Sequence, residues 1–214
     1  MRVSALVSAA LAAAILAASA QATARPLRPS DAKLLKRAPT YEEQIAEQVA
    51  ARLTHLHPQV RCGPLGVPSG YGITGITLFV GSKPAGYFLL LPAICQDLAA
   101  FHASPQSYDP RACTDASCLD TVEDAAIALA TVSHESYHLL GYRNEAKVEC
   151  YGMQSIWYVA SKLGASFDEA QAIASFYATK IYPQRRTKTP AYWSAECRDG
   201  GTLDLRPQLA RWPS

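Results

Sequence analysis

The chain has 214 residues, 49% of them hydrophobic and 18% charged, with 20 Lys and Arg against 18 Asp and Glu. That length and balance predict one globular domain with a proper core and exclude a disordered chain. A net charge of +2, with no basic run interleaved with aromatics and no phosphate-binding glycine loop, excludes nucleic acid as the expected partner.

Residues 1–24 read as a secretory signal peptide. Arg2 supplies the positive start, an Ala-rich apolar run spans Val3 to Ala18, and two small-residue cleavage sites follow, Ala18-Ser19-Ala20 and Ala22-Thr23-Ala24. A membrane anchor is the competing reading, but the run is short and ends in what a signal peptidase cuts. The mature protein is therefore expected to be secreted, with no stable membrane span. Six cysteines agree with export: Cys62, Cys95, Cys113, Cys118, Cys150 and Cys197 form an even set, as three disulfides require. Cys113 and Cys118 flank a short polar loop and are the pair their spacing favours; the other four stay unassigned. Without a C-x-x-C pair, a cysteine metal site is not expected.

Residues 25–40, rich in Pro, Lys and Arg, read as an extended arm or linker, and residues 41–214 as the domain. Tyr41 to His57 has helical spacing, with Ile45, Val49, Leu53 and Leu56 as its apolar stripe and Thr40 before its start. His55 and His57 at its end read as surface residues. Glycines punctuate residues 61–91, where Ile73–Val80 and Tyr87–Leu91 predict a hairpin around Gly81-Ser82-Lys83-Pro84. Such a hairpin either covers the core or offers an edge to an extended peptide. Pro92 to Ala103 predicts a helix, with His102 as a structural or solvated side chain. A polar loop over 104–118 leads to a long helix from Leu119 to Leu140, which Gly141 can end. Asn144 can cap a further helix to Leu163. Ser166-Phe167-Asp168-Glu169 opens another over 166–181, ended by Pro183. The tail from Gln184 carries Tyr192, Trp193, Leu203, Leu205 and Trp212, and is expected to wrap the domain, held by Cys197.

Inside the long helix stands His134-Glu135-Ser136-Tyr137-His138. Residues four apart on a helix share a face, so both imidazoles can reach one cation at the roughly 2 Å that zinc requires. Glu135 points to the side of that face, placed to take a proton from a zinc-activated water without ligating the metal. The neighbours Thr131, Val132, Ser136, Tyr137, Leu139 and Leu140 are uncharged, as a helix sunk beneath a metal requires. The bland alternative is an ordinary amphipathic helix with solvated histidines.

A catalytic zinc needs a third protein ligand, and two spacing patterns compete for it. In the metzincin pattern Gly141 turns the chain and Asn144 falls at the ligand position, where a neutral amide is a poor zinc ligand. In the gluzincin pattern a following helix supplies a carboxylate with an acid four residues later, as Glu145 and Glu149 do. Glu145 is then the ligand and Glu149 the hydrogen-bond partner that fixes a ligand histidine. Glu149 as ligand, or a solvated acidic face balanced by Arg143 or Lys147, remain the alternatives.

The HExxH segment and Glu145 to Tyr151 together resemble bacterial neutral zinc metallopeptidases, in which an acidic residue followed by Cys and an aromatic also occurs. Six residues separate His138 from Glu145, far fewer than in thermolysin-like relatives, so the Gly141 turn must fold the second helix back unaided. The resemblance implies an α+β, mainly helical, zincin-like single domain. It also implies a zinc peptidase whose ligands are His134, His138 and Glu145 and whose general base is Glu135. Peptides, proteins and peptidoglycan cross-links all suit that chemistry as substrates. Tyr137, Tyr142, Arg143 and Tyr151 are the nearby donors for an oxyanion. Two other classes stay open: a secreted scaffold stapled by a structural zinc, and a disulfide-bonded domain without metal.

Overall fold

The chain folds, in a computed structural model describing residues 28–66, 72–208 and 212, as an α+β domain that is mainly helical. The signal-peptide segment lies outside those residues. The arm is not wholly extended: Pro29–Lys36 forms a short helix, α1, started by Pro29 and by an ion pair between Arg28 and Asp31. Helix α2, Tyr41–Thr54, begins with a capping box in which Thr40 and Glu43 satisfy each other's backbone N–H groups. His55 ends it in the left-handed conformation, and both His55 and His57 are exposed.

Three strands form one sheet: β1 Gln59–Cys62, β2 Gly75–Val80 and β3 Lys83–Leu90, in the order β1-β3-β2. The expected hairpin is the antiparallel β2–β3 pair. The sequence reading lacked β1, which pairs parallel to β3. Its four residues alternate polar and apolar too briefly to signal a strand. Helix α3, Pro92–Ala103, follows, and His102 is structural: its Nδ1 lies 3.0 Å from the Leu163 carbonyl.

Helix α4, Ala116–Leu139, is the spine of the fold. It starts three residues before the predicted Leu119, and Asp115 caps it, accepting from the Cys118 N–H. Val122, Ala125, Ala126, Ala128, Leu129 and Val132 are all buried, so the helix is apolar nearly all round and is covered on several sides. Helices α2, α3 and α5 (Glu145–Lys162) and the sheet pack against it.

The predicted helix over 166–181 is α6, Phe167–Phe176, opened by the Ser166–Glu169 capping box. Pro183 does not end it. A π turn over Tyr177–Ile181 shifts the hydrogen-bond register, and the chain continues as α7, Tyr182–Lys188. Pro183 then falls in the first turn of α7, where a missing N–H costs nothing.

Cys113–Cys118 is bonded as its spacing favoured. Cys62–Cys95 ties β1 to α3, and Cys150–Cys197 ties α5 to the tail. Three disulfides fit an extracellular protein. Among the described residues no helix is long and apolar enough to cross a membrane.

Helices α4 and α5 approach closely at Gly152. A Cβ there would lie 3.0 Å from the His134 backbone nitrogen and 3.1 Å from its Cα. Backbone cannot swing aside as a side chain can. Gly152→Ala is therefore expected to cost about 1–3 kcal/mol. Thermal denaturation checks this; an unchanged midpoint would contradict the close approach.

Candidate metal centre

His134, Glu135 and His138 are all buried on α4. The chain leaves α4 at Leu140 and turns at Gly141, whose φ of 91° disfavours any side chain, while its N–H bonds the His138 carbonyl at 2.9 Å. Asn144 caps α5, its Oδ1 accepting from the Lys147 N–H at 2.9 Å. That spends the amide that the metzincin spacing had offered to a metal. Helix α5 folds back along α4, so Glu145 and Glu149, one turn apart, face the two histidines.

The three candidate ligand atoms converge. His134 Nε2 lies 3.0 Å from His138 Nε2 and 3.1 Å from Glu145 Oε2, and His138 Nε2 lies 3.4 Å from Glu145 Oε2. Ligand atoms about 2.0–2.1 Å from a tetrahedral ion stand about 3.3 Å from one another. The observed triangle has the size of one face of such a tetrahedron. This buried His134, His138 and Glu145 group can hold a metal ion.

Protonation sharpens the fit. His138 Nδ1 lies 2.7 Å from the Tyr142 carbonyl, which only accepts, so Nδ1 carries the hydrogen, and in that tautomer Nε2 is the nitrogen with a lone pair to offer. His134 Nδ1 lies 3.0 Å from Glu149 Oε2. The Glu149 carboxyl is buried, which alone would raise its pKa. The bond from His134, the Arg185 charge and the Tyr177 hydroxyl outweigh that and hold it near about 2. An ionised carboxylate takes the Nδ1 hydrogen, so His134 Nε2 also presents a lone pair. Two nitrogens and a carboxylate oxygen then oppose one another with nothing positive between them. A proton relieves this: burial would lower the His134 pKa, yet the bonds to Glu145 and Glu149 raise it from 6.5 to about 10. Burial likewise opposes ionisation of Glu145, but the two imidazoles bring it to about 2. A metal ion satisfies all three lone pairs at once, where a proton satisfies fewer.

Glu149 is held from behind by groups absent from the sequence reading. Its Oε1 accepts from the Tyr177 hydroxyl at 2.5 Å and from Arg185 Nε at 3.1 Å. The π turn places Tyr177 and α7 places Arg185. No local motif marks either residue, because the register shift that aims them is set by tertiary packing. Arg185→Met removes a charge that, after the His134 hydrogen bond, helps keep Glu149 ionised, and is expected to weaken metal affinity by about 10- to 100-fold. Competition with a fluorescent zinc chelator measures this, and an unchanged affinity would count against the Glu149 assignment.

Glu135 packs against β2, its Oε2 accepting from the Thr77 hydroxyl at 2.7 Å. Burial raises its pKa above the usual carboxylate range, although both histidines and Thr77 pull the other way. Glu135 borders a cavity of about 30 Å³ with His134, Glu149, Arg185, Tyr192 and the Gly72–Gly75 segment. Tyr192, from the tail, lies over His134 with ring centroids 5.6 Å apart.

None of the four expected oxyanion donors borders that cavity. The Tyr137 hydroxyl bonds Ser155 at 2.8 Å, and its ring clusters with Tyr142 and Tyr151. Lys147 lies over the rings of Tyr142 and Tyr151, and Arg143 over Phe79. A scan against protein-family models found no match for this chain, nor did searches of curated proteins and of solved structures.

Proposed function

We propose that the protein is a secreted zinc-dependent peptidase. The observation that carries this is the triangle of His134 Nε2, His138 Nε2 and Glu145 Oε2, at the edge lengths of a zinc tetrahedron, with the buried Glu135 next to His134 in sequence and bordering a cavity with it. Two imidazoles and one carboxylate are a donor set that zinc favours, and three ligands leave a position open. Bound there, zinc supplies Lewis acidity toward a peptide carbonyl and toward water.

The chain's own residues do the rest. His134 is oriented by Glu149 and His138 by the Tyr142 carbonyl, so both present Nε2. Thr77 fixes one oxygen of Glu135 and leaves the other for proton transfer. Glu135 takes a proton from the attacking water and returns it to the departing amine. Its raised pKa brings it closer to the neutral range in which such transfers are efficient. Arg185 borders the cavity as the cationic group beside the developing oxyanion.

The test is hydrolysis of unfolded casein by the purified mature protein. Cleavage that stops with 1,10-phenanthroline and returns with added zinc is expected. Cleavage indifferent to the chelator, or none with zinc bound, contradicts the proposal. The small volume beside the histidines favours one second reading, in which zinc is a structural staple without turnover.

A further inference from the structure

The cavity next to the ligand triangle is too small for the substrate the proposed chemistry requires. About 30 Å³ holds one or two waters, whereas sites that bind organic ligands are typically about 300–1,000 Å³. What narrows it on the tail side is Tyr192, which lies tilted by 31° over the His134 ring. Tyr192 stands on a strap, residues 189–197, that is secured at both ends. One end continues from α7, where the Tyr182 hydroxyl accepts from the Ser194 N–H at 3.0 Å and the Arg185 guanidinium lies 5.7 Å from the Tyr192 ring centre. At the other end Cys197 is bonded to Cys150, the residue immediately after Glu149. The strap is thus fastened to the helix that carries two of the site's carboxylates.

We propose that Tyr192 is the gate of the metal site and that the Cys150–Cys197 bond holds the gate closed. The proposal rests on the zinc reading above and adds what decides which molecules reach the metal. Only water passes the closed gate; chelators and the metal ion pass when it opens. A peptide enters only when the strap lifts, so extended or unfolded chains are admitted and folded protein surfaces are not. The disulfide keeps the strap from leaving altogether, so that opening is a limited swing of residues 189–197 rather than loss of the tail.

The experiment reads zinc release, not hydrolysis. Zinc-loaded protein is mixed with dipicolinate at increasing concentrations, and metal removal is followed with a colorimetric indicator. For the wild type the rate is expected to level off with dipicolinate, because gate opening limits it. For Tyr192→Ala, and separately for the Cys150→Ser/Cys197→Ser double variant, the rate is expected to climb in proportion to dipicolinate. A gate closed about 90–99.9% of the time predicts roughly a 10- to 1,000-fold faster release in the variants. Tyr192→Phe, which keeps the ring, is expected to match the wild type. Equal release from wild type and whichever of the two opening variants folds overturns the gate. A wild type that holds no zinc overturns gate and peptidase together. Slow, saturating release from a protein that cleaves nothing removes only the peptidase.

Discussion

Glu135→Gln is expected to lower kcat/KM by about 100- to 10,000-fold or more while leaving zinc bound. The amide oxygen of Gln still accepts from Thr77, so the side chain keeps its place against β2. It has no carboxylate to receive a proton, so the transfer from water to amine fails. The metal ligands are untouched, because Glu135 is not among the three converging groups. Steady-state kinetics on a fluorogenic peptide, with zinc content measured on the same preparation, separates the two effects. A structural staple predicts that the substitution changes nothing. Loss of zinc and of activity together would instead show that Glu135 ligates the metal.

The second large effect is the coupling of zinc to protons. Without metal, His134 carries a proton up to about pH 10 because it stands between Glu145 and Glu149. Zinc bound to these groups would take the place of that proton, so binding is expected to release one. Apparent affinity is expected to tighten about tenfold per pH unit between roughly pH 6 and 9. Titration calorimetry in buffers of different ionisation enthalpy counts the proton, and a pH-independent affinity contradicts the assignment. The metal-free protein follows its own profile. The His134 pKa is raised, so its stabilising contribution is full below about 6.5 and is lost as pH rises through about 10. The Glu145 and Glu149 pKa values are depressed, so theirs is full above about 4.5 and is lost as pH falls through about 2. With only these groups in play, the metal-free site is most stable from about pH 4.5 to 6.5.

Much of the candidate site could be read along the chain because it is built from short-range geometry. His134 and His138 share a helical face by their spacing, and Gly141 with Asn144 marks one helix end and the next helix start within a few residues. The helix start at Thr40 and the capping box at Ser166 were legible for the same reason. The spacing after the motif favoured Glu145 as the ligand and left Glu149 as the alternative. The fold distinguishes them by setting Glu145 against both Nε2 atoms and Glu149 against the far nitrogen of His134.

What stayed hidden depends on distant partners. Strand β1 exists because β3 offers it a parallel edge, not because Gln59–Cys62 is strongly strand-forming. Pro183 reads as a helix end until the π turn supplies a new first turn around it. Tyr177, Arg185 and Tyr192 lie 28 to 43 residues beyond Glu149 and reach the site through that turn and through Cys150–Cys197, a pairing composition does not choose. The oxyanion candidates named for their closeness in sequence to the motif do not border the cavity beside Glu135: Tyr137, Tyr142 and Tyr151 sit together in a separate cluster.

Metal analysis of the mature protein, purified without chelator and then dialysed against zinc, tests the central claim most directly. One zinc per chain is predicted for the wild type, falling to a small fraction when Glu145→Gln removes the charged ligand oxygen and leaves the fold intact by circular dichroism. A folded wild type without stoichiometric zinc, or a Glu145→Gln variant that retains it in full, would contradict the account.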